Sequence, residues 1–360
     1  MEPPGVIRSL IVTAILVAAC QSPSATAGPS AAATAGGPSA APTASAAATQ
    51  PPATGPGSLF HVVGSAPVLT AAMFPDRNAV LPGAITPAGD GTYHAWVVAF
   101  AQAPGIQEIH HLTSTDAVSW TERSDASLTA LSDGLGRPGA LPASVLEEDD
   151  GWVMYFVGTL ATEERGWDIW RATAPGPDGP WVRSAKPVLR RGAEGTWDAG
   201  ALDFPTVIPT DDGYAMFYSA IPTLESAEGS VGLATSADGV DWARHGDPVA
   251  TKGLCGGFDD RAVEQPRVLV GTTGLYLVYA GYAGELDSRP GIGLASSLDG
   301  GLTWGCQWPA TVLDTAELPA GDGVHTVNAF LRGDRVTLMI EWLRNGGSED
   351  WLAHLGPRVP

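Results

Sequence analysis

Two carboxylates, Asp203 and Glu264, each stand two residues ahead of a proline, in the segments Leu202-Asp203-Phe204-Pro205 and Val263-Glu264-Gln265-Pro266. The equivalent positions before Pro82 and Pro142 hold apolar Val80 and Ala140. Two acids facing one cavity are what cleavage of a glycosidic bond requires: one protonated, to donate to the leaving oxygen, and one ionised. Mutual repulsion in a partly dehydrated pocket would raise one pKa and leave the partner charged. A second pair of equivalent positions lies just upstream, Trp197-Asp198 and Phe258-Asp259. Aromatic-then-Asp suits a sugar-binding rim, where the ring stacks on a pyranose and the carboxylate accepts hydroxyl bonds; it suits a structural bond between repeats equally well. His325 is a candidate contact from the opposite wall, and Asp76 and Asn78 are candidates at the same mouth. Strand alternation puts Arg267 on the other face, paired inside the sheet.

The elements that must position these residues follow from a period. Gly91, Gly151, Gly213, Gly274 and Gly333 recur about every 60 residues, and each opens a short segment rich in β-branched and aromatic residues, from YHAWVVAF to DRVTLMIEW. A second strand follows (GIQEIHHL, GWDIWRATA, SVGLATS, GIGLASS) and leads into a turn ending at Trp120, Trp181, Trp242 or Trp304. Asp-Gly in these turns supplies the backbone of a tight hairpin, and the Trp is expected to start an outer strand and pack between blades. The inner strands carry Pro82, Pro142, Pro205 and Pro266, which fit an innermost edge where a missing donor costs little. The pattern predicts an all-β, five-bladed β-propeller over residues 58–360. The fifth repeat has no outer strand after DWLAHLGPRVP, whereas Phe60 to Leu69 matches Trp181 to Leu189 in order and spacing. An N-terminal outer strand is therefore expected to pair into the last blade and remove a free sheet edge.

Residues 1–20 read as an export signal, since the apolar run Leu10 to Ala19 is too short to cross a bilayer. Val17-Ala18-Ala19-Cys20 resembles a bacterial lipobox, which implies lipidation of Cys20 and an exported lipoprotein of the cell surface or outer membrane; an ordinary secretory signal is the alternative. Residues 21–57 are almost wholly Ala, Ser, Thr, Pro and Gly, with no charge and no aromatic ring, the composition of a disordered tether. Cys255 and Cys306 then form an even pair in an oxidising compartment, and a disulfide bracing the fourth repeat is expected. A net charge of -20 argues against nucleic acid as ligand.

The five repeats, the Gly-Pro-Trp181 turn, the Ser236-Ala-Asp-Gly-Val-Asp-Trp242 turn and the strand Val263-Glu264-Gln265-Pro266-Arg267-Val268 resemble the five-bladed glycoside hydrolases, families 43, 32, 62 and 130 among them. In family 43 a Glu before a proline is the general acid, which maps onto Glu264, while Asp residues on earlier blades serve as base and pKa tuner; Asp203 is the candidate for one of those roles. The chain departs from that pattern. Leu81 stands where family 43 has its base, and the two strongest acids fall on the third and fourth repeats. Ser297-Leu-Asp299-Gly-Gly301-Leu-Thr303-Trp304 also fits the Asp-box of sialidases, a structural turn, but the few arginines do not supply that family's triad. The resemblance implies an oligo- or polysaccharide ligand and a monomer working without a cofactor or metal; some relatives hold a channel calcium, but no ligand loop of known spacing appears in this sequence. Two further classes stay open: a noncatalytic glycan-binding lipoprotein, and a structural or protein-binding propeller.

Overall fold

The computed structural model describes residues 58–355 apart from 102–106, 124–125, 137–138, 164–165, 285–288 and 334. The leader 1–20 with Cys20, and the tract 21–57, lie outside the described residues.

Five antiparallel sheets form the propeller. From the channel outward, blade 1 holds Arg77–Pro87, Tyr93–Ala101, Glu108–Ser114 and Thr121–Arg123, and blade 2 holds Leu141–Glu148, Gly151–Gly158, Asp168–Ala174 and Val182–Arg183. Blade 3 is Ala201–Thr210, Gly213–Ile221, Ser230–Ser236 and Ala243–Arg244; blade 4 is Ala262–Val270, Leu275–Tyr282, Gly291–Ser297 and Gly305–Cys306. Blade 5 takes Gly323–Arg332, Arg335–Arg344 and Gly347–Leu355 from the end of the sequence, and its outer strand is Phe60–Val62, with Phe60 opposite Leu355. Leu69–Thr70 adds a second short pairing to Gly347–Leu355.

The second strand of each blade is the hydrophobic spine, because it is covered by a neighbouring blade on each face. Trp96, Tyr155, Phe217, Tyr279 and Met339 are fully buried there. The tryptophans that close the hairpins reach across to the preceding blade: Trp181 meets Trp96 edge-on at 6.0 Å, Trp242 meets Tyr155 at 5.8 Å and Trp304 meets Phe217 at 5.7 Å. Such contacts contribute about 0.5–1.5 kcal/mol each beyond their buried area. The turns that aim these rings are fixed by carboxylates. Asp116 accepts the amides of Val118 and Ser119 at 2.8 and 2.7 Å, and Asp238 accepts those of Val240 and Asp241 at 2.9 Å. Asp299 does the same for Thr303 at 3.0 Å, so the Asp-box segment is a structural turn.

Side chains stitch the inner strands to one another around the channel. Thr86 donates to the Val145 carbonyl (2.7 Å), Ser144 accepts the Val207 amide (3.1 Å), and Thr206 donates to the Pro266 carbonyl (2.6 Å). Gln265 accepts the Val327 amide (3.2 Å), and Asn328 donates to the Gly83 carbonyl (2.6 Å), which completes the circuit. Edge strands normally leave such backbone groups unpaired; here they are satisfied from the next blade. Cys255 and Cys306 are disulfide-bonded, with Cα atoms 5.0 Å apart, tying the loop before blade 4 to that blade's outer strand.

Candidate active site

Every inner strand is interrupted by a bulge at or beside the proline position. Register shifts fall between Leu81 and Ala84, Pro142 and Ser144, Asp203 and Thr206, Glu264 and Arg267, and Val324 and Thr326. A bulge inserts an unpaired residue and re-aims the side chains around it. In blades 3 and 4 the residue after the acid adopts left-handed backbone, Phe204 at φ 46° and Gln265 at φ 54°. That region costs a bulky residue about 1 kcal/mol or more, and such strain concentrates at functional sites.

The five bulges surround one cavity. Asp203, Glu264, Arg267, Tyr282 and His325 all line it. Both carboxylates therefore reach the same space from neighbouring blades. Asp203 is 8 % exposed, and its Oδ1 accepts the Phe204 amide at 2.7 Å. Burial pushes its carboxyl up to about 7; the Phe204 bond opposes this, the Glu264 charge adds to it, and Arg267 opposes it. Burial likewise pushes Glu264 up to about 7. Its carboxylate lies directly on the Gly229 backbone, where an added Cβ would come within 1.9 Å of Oε1. Only glycine at 229 leaves room for this placement. The expected split, one raised carboxyl beside one left ionised, is not what the site shows: burial rather than mutual repulsion raises both.

His325 is itself the bulged residue of blade 5, and its Nδ1 lies 2.8 Å from Oε2 of buried Glu341. Thr326 donates to that same oxygen at 3.0 Å. The ring is thus held through Nδ1. Tyr282 accepts a 3.3 Å bond from the Gln265 side chain, and burial raises its hydroxyl pKa.

The remaining candidates sit elsewhere. Asp198 and Asp259, 1 % and 0 % exposed, do not line the cavity. Asp198 binds the Thr196 hydroxyl (2.8 Å) and lies 3.0 Å from Arg244 of the outer strand. Asp259 accepts the Cys255 and Gly256 amides (2.8 and 3.1 Å) and the Tyr279 hydroxyl (2.6 Å). Trp197 stacks on Tyr218 and Phe258 on Tyr279. The two pairs are matching internal braces of blades 3 and 4. Small residues in the adjacent strands carried a signal of this in the sequence: a Cβ at Gly232 would strike Trp197, and one at Gly281 or Gly291 would strike Phe258. Asp76 is exposed and Asn78 half-buried on blade 1, neither of them on the cavity wall.

Arg267 corrects the alternation argument. It is not paired inside the sheet: it faces the cavity with its guanidinium carbon 5.5 Å from the Phe204 ring centre. The bulge between Glu264 and Arg267 adds a residue, so counting by twos across it assigns the wrong face. Among the described residues, no group of three or more His, Cys, Asp or Glu side chains is arranged to hold a metal ion.

No protein-family model matches the chain, and no curated protein matches it in sequence. Solved structures do resemble it. A complex of BT0996 with RGII superposes with a TM-score of 0.61 at 16% identity, over 83% of this protein and 91% of the other. A thermostable family-43 glycoside hydrolase gives 0.57 at 15% identity, over 80% and 97%. A family 117 glycoside hydrolase, Zg3597 of the marine bacterium Zobellia galactanivorans, gives 0.59 at 16% identity, over 82% and 89%. At such identities the likeness is one of fold.

Proposed function

We propose that the protein is a glycoside hydrolase in which Glu264 is the general acid and Asp203 its partner carboxylate. The observation that carries this reading is the convergence of a buried carboxyl, Asp203, and a half-buried one, Glu264, both pushed up to about 7, on one channel cavity. Two of the solved structures with this fold are glycoside hydrolases by description, and a third is a glycan complex, which supports a carbohydrate ligand. Glu264 protonates the leaving oxygen. Asp203 then serves as base or as nucleophile according to the carboxylate separation. His325, steadied by Glu341, orients the sugar from the far wall. In the cell the enzyme is a monomer anchored at the surface through Cys20, with residues 21–57 as tether.

The test is release of reducing sugar from aryl glycosides and natural oligosaccharides by the full-length protein and by Glu264→Gln. Loss of general acid catalysis lowers the rate about 10²–10⁴-fold. Turnover at the wild-type rate in Glu264→Gln removes Glu264 from the mechanism. Saturable binding with no release by either protein favours the second reading, a glycan receptor in which the same residues are ligand contacts.

A further inference from the structure

One charged group on the cavity wall has no part in the acid pair. Arg267 is 3 % exposed, and its Nε and Nη1 meet no acceptor among the described residues. Asp203 is close enough to act on it electrostatically, yet the Asp203 oxygen is bonded to the Phe204 amide and no ion pair joins the two side chains. Burial lowers the Arg267 pKa to about 10, so it stays a cation at neutral pH. The other arginine on the wall, Arg261, is only half-buried and is held by its Nη1, which donates to the Gly284 carbonyl, although its Nε is unpartnered too. A buried cation without hydrogen bonds is unfavourable, and the side that can relieve it is the cavity.

We infer that the sugar held in this channel carries a carboxylate, as a uronic acid does, and that Arg267 binds it. This rests on the proposed glycan-binding role of the site and adds the class of sugar. A planar carboxylate matches the paired N–H groups of a guanidinium. A phosphate dianion fits less well, because it would bring twice the charge beside Asp203 and Glu264. Phe204, held under the guanidinium by its left-handed backbone, fixes the height at which Arg267 meets the ligand. Arg267 is in this reading a specificity residue, on the same strand as the acid it accompanies.

The experiment is calorimetric titration of the full-length protein at pH 6 with oligosaccharides ending in glucuronic or galacturonic acid. The same oligosaccharides with the carboxyl reduced to an alcohol, and inorganic phosphate, are titrated in parallel. Wild type is expected to bind the acid forms at least about tenfold more tightly than the reduced forms, Arg267→Met to lose that preference and Arg267→Lys to retain part of it. Equal or tighter binding of the reduced sugars by wild type overturns the inference and leaves the glycan site standing. Phosphate binding that depends on Arg267, without preference for the acid sugars, also overturns it. No binding of either sugar form overturns the inference together with the glycan reading. The wild-type comparison decides the matter even if Arg267→Met does not fold.

Discussion

Asp203→Asn should stabilise the protein at neutral and alkaline pH. Between its ordinary value of 3.8 and the folded value of about 7, native Asp203 keeps a proton that the unfolded state has released. The native state therefore binds more protons in that window, so stability falls as pH rises from about 4 to 7 and the loss is constant above it. About three pKa units at about 1.4 kcal/mol each give a cost of about 4 kcal/mol at pH 8. Asn does not titrate, and its side-chain oxygen can still accept the Phe204 amide that bonds Asp203 at 2.7 Å. At about 2 °C per kcal/mol for a domain this large, the variant should melt about 8 °C above wild type at pH 8 and within about 2 °C of it at pH 4. Thermal unfolding by circular dichroism across pH 4–9 is the assay. Melting curves that stay parallel with pH, or a variant that is the less stable one at pH 8, would refute an ionisable Asp203 held in a dehydrated wall.

Gly229→Ala is expected to reach the chemistry through packing, because its methyl group would sit 1.9 Å from Oε1 of Glu264. A displacement of about 1 Å costs on the order of 10²-fold in rate; because Cγ and Cδ are met at 2.3 and 2.4 Å as well, the whole Glu264 side chain must turn aside, and an unchanged kcat would refute the placement of the acid at Gly229. Asn328→Ala opens the joint between blades 5 and 1 by leaving the Gly83 carbonyl without its 2.6 Å donor, a loss of about 1–3 kcal/mol readable in urea unfolding. Reduction of Cys255–Cys306, which closes a loop of 51 residues, should remove about 4 kcal/mol in the chain-entropy model, measured as the unfolding midpoint with and without reductant.

The fold was legible because a propeller repeats its instructions. Four of the five blades restate a turn, a buried second strand and a closing tryptophan, so an error in one repeat is outvoted by the others, and Trp181, Trp242 and Trp304 each meet the preceding blade as the pattern requires. The candidate site was only half legible for the opposite reason: its two carboxylates stand where the repeats differ. Asp203 and Glu264 were visible as departures from Val80 and Ala140 at matched positions. The Trp197-Asp198 and Phe258-Asp259 pairs, being alike in two blades, turned out to brace those blades. Both pairs occupy the same two blades, so occurrence alone does not separate them; the bulges beside Asp203 and Glu264 do, by setting those two acids on the cavity wall while Asp198 and Asp259 stay off it.

Arg267 marks the limit of that reasoning. Its face depends on one inserted residue, and insertion of that kind has no compositional signature beyond the proline that accompanies it. The bulge after Glu264 swings Arg267 toward the channel, and it also forces Gln265 into left-handed backbone, where its side chain spans to Val327 of blade 5 and to Tyr282. The same local defect thus sets the acid, the cation and the joint to the next blade. Straightening the strand would restore regular pairing but turn Arg267 away from the cavity and release blade 5. Strain at Gln265 is therefore held in place by contacts to its own blade and to the next, which is the condition under which a strained residue persists in a native protein.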